Sequence, residues 1–395
     1  MDQQTIYPRR LETRLLEEMG SQKIVVLTGM RQTGKTTLMR KIFNSVKSDN
    51  KVFLDLENPL NQKVFEEENF DNILRNLKAV NIDPAGKCCI FLDEIQLMPE
   101  ISKAVKYLFD RYKIKFFLTG SSSFYLKNLF SESLSGRKAV YELFPLDFEE
   151  FLIFKESARE PCGSLSEAAA KKNKISYGLK GGLFKEYLEF GGFPGVVSEK
   201  PGKTKTLGDI FTSYFEKDVK SLADFREINK LRDIVLLLAN RVGSKIDITK
   251  ISSEIGISRE TVYSYLNFLE KTYFIFLVPP FSGSLNGEVR GAKKVYFCDI
   301  GLLNYLGKIS EGAVFENAVF NNLRKYGKIN YYQKHKGPEI DFILEEKIAL
   351  EIKMHGDTSD IVKLSRHAVN LKIKEHYLVT GNFFDHPRAI PAQDL

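Results

Sequence analysis

"KIVVLTGMRQTGKTTLMRKIF", Lys23 to Phe43, commits the first part of the chain to one kind of sheet. The apolar run from Ile24 to Leu27 predicts a buried strand, and the residues from Lys35 onward have the spacing of a helix. The loop between them fits G-x-x-x-x-G-K-[ST] through Gly29, Gly34, Lys35 and Thr36, with Met30, Arg31, Gln32, Thr33 and Thr37 completing it. Glycines let such a loop curl until its N–H groups point inward at phosphate oxygens, and the helix N-terminus adds its dipole. Lys35 would reach the β- and γ-phosphates, and the Thr36 hydroxyl would ligate magnesium.

A second stretch, "KCCIFLDEIQLMP" (Lys87 to Pro99), supplies the acids that such a loop needs. Four apolar residues lead to Asp93 and Glu94 at the C-terminal end of a strand, where ligands collect in open α/β sheets. Asp93 would hold magnesium and Glu94 would orient or deprotonate the attacking water. "KVFLDLEN" (Lys51 to Asn58) and "IKFFLTGSSS" (Ile114 to Ser123) predict two more strands of the same sheet. The second ends in hydroxyls, of which Ser121 is the candidate sensor of the γ-phosphate.

The phosphate loop, "FLDEIQ", "LTGSSS", "LSGRKAVYELFPLDFEEFL" and "GGFPGVV", taken in this order, resemble a prokaryotic group of AAA+-like ATPases. The C-terminal half in that group ends in a restriction-endonuclease-like segment, and the resemblance covers nearly the whole chain. It implies ATP in preference to GTP, in keeping with the absence of an Asn/Thr-Lys-x-Asp guanine-reading motif. It also implies that Arg137, in "SGR", is an arginine finger or sensor on the γ-phosphate; a surface arginine near a turn is the plainer alternative.

Beyond residue 154 the chain turns polar and lysine-bearing, "KESAREPCGSLSEAAAKKNKISYGLKGG", as in a lid or linker. In "ITKISSEIGISRETVYSYLNFLEKTYFIFLVPP" a short helix, Ile248 to Ile255, meets a Gly256 turn. Ser258 would cap a second helix that begins at Arg259, with Val262, Leu266 and Leu269 facing inward. That is helix-turn-helix spacing in a winged-helix setting, and Arg259, Tyr263, Ser264, Asn267 and Lys271 face outward toward a groove. Glu260 and Glu270 temper its basic character, and packing against protein is the alternative use.

Near the C-terminus, "PEIDFILEEKIALEIK" (Pro338 to Lys353) reads as a hairpin with Glu345, Glu346 and Lys347 as its turn. Pairing Leu344 with Ile348 sets Asp341 opposite Glu351, a like-charge pair that costs about 0.2–1 kcal/mol. Ordinary solvent-facing charges are one explanation. The other is a metal: with Glu316 from "GAVFENAVFNNLRKYG" and Lys353, these acids resemble the PD-(D/E)xK nuclease core. A magnesium ion between Asp341 and Glu351 would turn repulsion into ligation, with Lys353 acting on the attacking water. One departure stands out, because Pro338 is displaced from the motif's Pro position, with Glu339 following it ahead of Asp341.

Composition bounds these readings. A chain of 395 residues with 43% hydrophobic and 28% charged content suits two or three ordinary globular domains. A net charge of +7 permits an anionic partner. Neither the N-terminal residues nor any 18-residue apolar run indicates a signal core or a membrane span, so a cytoplasmic protein is expected. The four cysteines have no zinc or disulfide spacing, and the five histidines make no ligand pair.

The expected fold is multidomain α/β. It comprises a P-loop ATPase (1–154), a helical lid or linker (155–225), a winged helix (226–281) and a small restriction-endonuclease-like α/β domain (282–395). The expected function is ATP hydrolysis coupled to DNA, with ATP and magnesium as ligands. Its rival is a nucleotide-switched regulator that captures DNA or protein on an inert C-terminal fold. A protein partner and self-association stay open.

Overall fold

Five apolar runs, each five or six residues long, form one parallel sheet: β1 (Ile24–Thr28), β2 (Lys51–Asp55), β3 (Cys89–Asp93), β4 (Lys115–Gly120) and β5 (Lys138–Glu142), in the order β2-β3-β4-β1-β5. The computed structural model describes residues 6–120, 136–157, 162–220, 227–282, 288, 291–334 and 337–395. Strands β1 and β3 are buried throughout, as expected where helices cover both faces of a parallel sheet. Val25 and Leu27 face the helix Lys35–Ser45 through Leu38, Met39 and Ile42. Ile24 and Val26 belong to the opposite core, with Leu108 of the helix Ile101–Tyr112. Cys88 and Cys89 are buried in these cores, and burial pushes their thiols up to about 11 and about 12.

Parallel pairing brings the strand ends together at one edge. Thr28 lies beside Gly120, and Asp55 lies beside Asp93. The loops after β1, β3 and β4 therefore leave from the same side, which is what a phosphate site requires.

The molecule divides into two compact units. Unit 1 comprises Met1–Phe144 together with Tyr214–Asp224 and Lys271–Tyr273, and unit 2 comprises the rest. Apart from residues 214–224 and 271–273, the segments beyond Phe144 share one unit. The "GGFP" motif packs within that unit. The buried Asp299 accepts hydrogen bonds from Gly192 N–H at 2.7 Å and Leu302 N–H at 2.9 Å, capping the helix Ile300–Leu306. A Cβ on Gly192 would meet the Leu146 carbonyl oxygen at 2.0 Å, so only glycine fits.

Also in unit 2 lie the helices Ile228–Ala239, Ile248–Ile255 and Arg259–Lys271, whose last residue alone falls in unit 1. They precede an antiparallel pair, β6 (Ile275–Val278) and β7 (Lys294–Phe297). Gly256 takes a left-handed φ of 72° at the turn, and Ser258 Oγ accepts the Thr261 N–H at 3.1 Å. Val262, Leu266 and Leu269 are buried, while Arg259, Tyr263, Ser264 and Asn267 are exposed; Lys271 is half-buried.

A second five-stranded sheet runs β12-β11-β10-β9-β8, from β8 (Ile329–Gln333), β9 (Glu339–Leu344), β10 (Ile348–Lys353), β11 (Glu375–Thr380) and β12 (Ala389–Pro391). The expected hairpin is β9–β10, with Leu344 paired to Ile348. Its polar face is not solvent-facing. Ile340, Ile343 and Ala349 are covered by Leu364 and Ala368 of the helix Thr358–Asn370. On the other side, Phe342 and Phe320 of the helix Glu311–Leu323 pack together with ring centroids 6.0 Å apart.

Candidate functional sites

The loop Gly29–Thr36 has the geometry of a phosphate cradle. Gly29 and Gly34 adopt φ of 153° and 93°, and a Cβ on Gly29 would strike the Leu143 carbonyl oxygen at 2.1 Å. Lys35 is buried, and its Nζ donates to the Gly29 and Met30 carbonyls, both at 3.0 Å. Burial lowers its pKa, opposed chiefly by the charge of Glu94. Thr33 Oγ1 donates to Met30 O at 2.9 Å. Arg9, absent from the sequence-based candidates, ties the loop to the sheet: its guanidinium donates to the carbonyls of Thr33 and Phe144, both at 2.8 Å. Nothing in "YPRRLETR" marks that arginine in advance.

Asp93 ends β3 in a buried position, close enough to Thr36 for that residue to favour its carboxylate form, so the two expected magnesium ligands lie near each other. Burial raises the Asp93 pKa, and the hydrogen bonds from Thr119 and Thr36 oppose that rise. Thr119, at the end of β4, touches both acids: its Oγ1 donates to Asp93 Oδ1 and accepts the Glu94 N–H at 3.3 Å. Ser121, the sensor expected from the same stretch, lies outside the described residues. Glu94 itself sits at φ 56°, ψ 46°, a left-handed conformation that costs a non-glycine residue about 1–2 kcal/mol. Its carboxylate accepts a hydrogen bond from Gln96. Strain of this kind at an acid beside a phosphate loop fits a functional position.

Arg137 is not brought to this loop. Its backbone carbonyl accepts the Ile24 N–H at 2.8 Å, at the start of β1, whereas the loop leaves the other end of that strand. Four residue steps, about 13 Å of strand, separate the two. The side chain pairs with Asp110 at 2.7 Å and is 42% exposed, a contact worth about 0–1 kcal/mol. Within its own chain, Arg137 is the surface arginine of the alternative reading.

The acids of unit 2 gather around Asp341. The β9–β10 ladder stops at Phe342–Leu350, one pair short of Asp341 and Glu351. On its other edge β9 holds one extra residue against β8, since Asn330 pairs with Ile343 but Tyr332 with Ile340. That bulge falls at Asp341–Phe342, and bulges re-aim side chains next to sites. Asp341 Oδ2 accepts the Ile352 N–H at 2.8 Å, standing in for the missing ladder bond. The Asp341 charge acts on both Glu316 and Glu351. Burial raises the pKa of all three acids, and Asp341 adds to the rise in the other two. Lys353 Nζ lies 2.8 Å from Glu351 Oε1.

Two further residues, both from β7, were missing from the sequence reading. Lys294 Nζ lies 2.8 Å from Glu339 Oε1 and 3.9 Å from Glu316 Oε1, with its side chain 5% exposed. Burial opposes its charge, but Glu316, Glu339 and Asp341 outweigh burial and raise its pKa. Tyr296 donates to Glu316 Oε1 at 2.6 Å. In sequence, "KKVYF" reads only as a strand, forty-odd residues before the hairpin. Glu339, two residues before Asp341, makes the shortest ion pair with Lys294.

Among the described residues, no three Asp, Glu, His or Cys side chains converge closely enough to hold a metal. Magnesium usually keeps several waters and takes one or two carboxylates plus substrate oxygens. The Asp341–Glu351 pair fits that demand; a closed protein cage does not form. The described residues also contain no helix long and apolar enough to cross a membrane.

Comparison with known proteins follows the two-unit division only in part. Residues 21–152 match the model of an AAA domain, and residues 181–313 and 311–394 match two domains of unknown function. An uncharacterized protein of Methanocaldococcus jannaschii is 29% identical over 85% of this chain and 74% of its own length. One of Haemophilus influenzae is 27% identical over 94% and 92%. A signal-transduction ATPase with a tetratricopeptide repeat sensor from Pyrococcus horikoshii aligns at 15% identity and a TM-score of 0.32, over 82% of this chain and 45% of that one. Residues 21–152 form a P-loop domain of the AAA type, built to bind and hydrolyse nucleotide.

Proposed function

We propose that the chain hydrolyses ATP and couples it to DNA, and that Asp341 and Glu351 form a magnesium-dependent nuclease-like centre. In the first unit, Lys35 and the loop amides bind the β- and γ-phosphates, with Thr36 and Asp93 as the residues that hold magnesium. Glu94 takes the proton of the attacking water. Magnesium there neutralises charge on the phosphates. In the second, the carboxylates of Asp341 and Glu351 hold the ion, which lowers the pKa of water. Lys353, beside Glu351, orients that water or compensates charge on the scissile phosphate.

The observation that carries the nuclease-like reading is that Asp341, at a bulge against β8 and one pair beyond the end of the β9–β10 ladder, acts electrostatically on the buried Glu316 and Glu351. A plain surface hairpin has no use for that arrangement. DNA recognition falls to the three helices and the β6–β7 pair as a winged helix, with Arg259, Tyr263, Ser264 and Asn267 exposed.

Lys294 favours a second reading. An ammonium already sits among Glu316, Glu339 and Asp341, and a cluster compensated from within suits a nucleotide-switched binding protein with an inert C-terminal fold. The deciding experiment incubates the full chain with linear and circular DNA, with magnesium or manganese, with and without ATP. Multiple-turnover cleavage that disappears in Asp341→Asn supports the nuclease. ATP-dependent DNA binding without cleavage supports the switch. Binding should weaken log-linearly with salt, by about 0.9 per phosphate neutralised.

A further inference from the structure

With Arg137 at the far end of β1, the phosphate loop has another arginine close at hand. Arg31 is the third residue of the Gly29–Lys35 loop, and its Nε lies 2.9 Å from Asp218 Oδ2. Both side chains are largely withdrawn from water, at 16% and 3% exposure. Both charges act on the Lys35 ammonium, so the pair lies close to where the phosphates would be held. Asp218 belongs to a π-helical turn, Tyr214–Val219, fixed in unit 1 by the Tyr214 hydroxyl at 2.7 Å from Thr272 Oγ1. The chain leaves unit 2 after Ser213 to make this turn. Single π turns are rare and recur at functional positions.

We propose that Arg31 reads the terminal phosphate of ATP, and that Asp218 is its counter-ion until the triphosphate arrives. The inference rests on the nucleotide reading above. A buried carboxylate beside a phosphate cradle repels the ligand unless a cation stands between them. Arg31 is that cation, and its planar fork of donors matches phosphate oxygens. When the guanidinium turns to the γ-phosphate, Asp218 keeps its charge but gives up this ion pair in a dry setting, which is unfavourable. The Tyr214–Val219 turn then loosens. ADP offers Arg31 no γ-phosphate and leaves the pair intact. Arg31 touches the ligand; Asp218 is a positioning residue.

The test measures binding of ADP and a non-hydrolysable ATP analogue to the full chain, with hydrogen exchange followed at residues 214–220. In the wild type, the ATP analogue and not ADP should speed exchange there. Arg31→Ala should weaken the ATP analogue about tenfold, equivalent to 1.4 kcal/mol, and leave ADP within about twofold. Arg31→Lys keeps the charge without the fork and should fall between the two. Asp218→Asn should tighten the ATP analogue and give fast exchange at 214–220 without nucleotide. Equal weakening of ATP analogue and ADP by Arg31→Ala, or equal exchange with either nucleotide, overturns this proposal alone. A wild type that binds neither nucleotide overturns the ATPase reading along with it.

Discussion

The phosphate loop of unit 1 and the acid cluster of unit 2 both bring like-charged or buried ionisable groups together, but they are built differently. The loop is eight consecutive residues between a strand and a helix, and its counter-charges come from the ends of neighbouring parallel strands. Regular pairing alone delivers Asp93 to Thr36. The cluster draws on residues from 294 to 353, and an irregularity, the bulge at Asp341, lies at its centre. It also carries its own cation in Lys294. A site made by regular pairing waits for its ligand nearly assembled, whereas one made at a bulge balances internal charges first.

If that contrast is right, the loop should depend on single residues in an all-or-none manner. Lys35→Ala should reduce phosphate release at least about a hundredfold, because the loop holds no second cation placed like Lys35. Glu94→Gln should still bind ATP and slow hydrolysis by about a hundredfold or more. Binding of a fluorescent ATP analogue and a phosphate-release assay separate the two. Hydrolysis by Glu94→Gln at the wild-type rate would move water activation to another residue.

The cluster should instead trade stability against metal. Lys294→Met leaves Glu316 and Glu339 in place without their buried cation, a change that costs about 3 kcal/mol. Magnesium should recover part of the lost melting temperature, since a ligand that binds only the folded state stabilises it. Asp341→Asn should do the reverse: it removes the shared repulsion, leaves the apo protein equally or more stable, and abolishes the magnesium response. Melts of the full chain carrying Lys35→Ala isolate this effect from nucleotide-bound metal. Identical magnesium responses in the wild type and Asp341→Asn would rule out a metal at Asp341.

A pH titration sharpens the same contrast. Glu316 and Glu351 are both pushed from the ordinary 4.5 to about 7 by burial and by Asp341. A carboxyl group whose folded pKa is raised binds its proton better when folded. Its stabilising contribution is therefore complete below about pH 4.5 and is lost as pH rises toward 7. Metal-free unit 2 should melt progressively earlier from pH 5 to pH 8, and magnesium should flatten that decline at its upper end. A melting temperature that rises over this interval contradicts the assignment.

What the sequence disclosed follows the same division. "TGMRQTGKTT" and "FLDE" are local patterns on regular strands, so Lys35, Thr36 and Asp93 could be placed without coordinates. The hairpin was equally local, and its turn and register agree with the structure. The covered outer face of the hairpin, the bulge and the Lys294 ion pairs depend on β7, β8 and the helix Thr358–Asn370, which no local period announces. Arg9 and Asp218 reach the loop from 24 and 187 residues away by number in the chain, beyond any motif. Arg137 differs in another way. Spacing alone leaves it either a finger on the phosphate or a surface arginine near a turn; it precedes the strand Lys138–Glu142, and parallel pairing puts it at the end of the sheet away from the phosphate loop.

That placement yields the smallest expected effect and the cleanest discrimination. Arg137→Ala removes an exposed pair with Asp110 worth at most about 1 kcal/mol, so melting temperature and ATP turnover should both stay close to the wild type. An arginine that stabilises a transferring phosphate is worth about a thousandfold or more in rate, so the two roles differ by far more than assay error. Turnover measured across a range of protein concentrations adds a second axis. If Arg137→Ala lost a thousandfold only where the wild type self-associates, the guanidinium would be acting on the nucleotide of a neighbouring copy. Mixing Arg137→Ala with Lys35→Ala would then restore activity, because each inactive copy would supply the part the other lacks. Unchanged turnover at every concentration leaves Arg31 as the arginine of the loop.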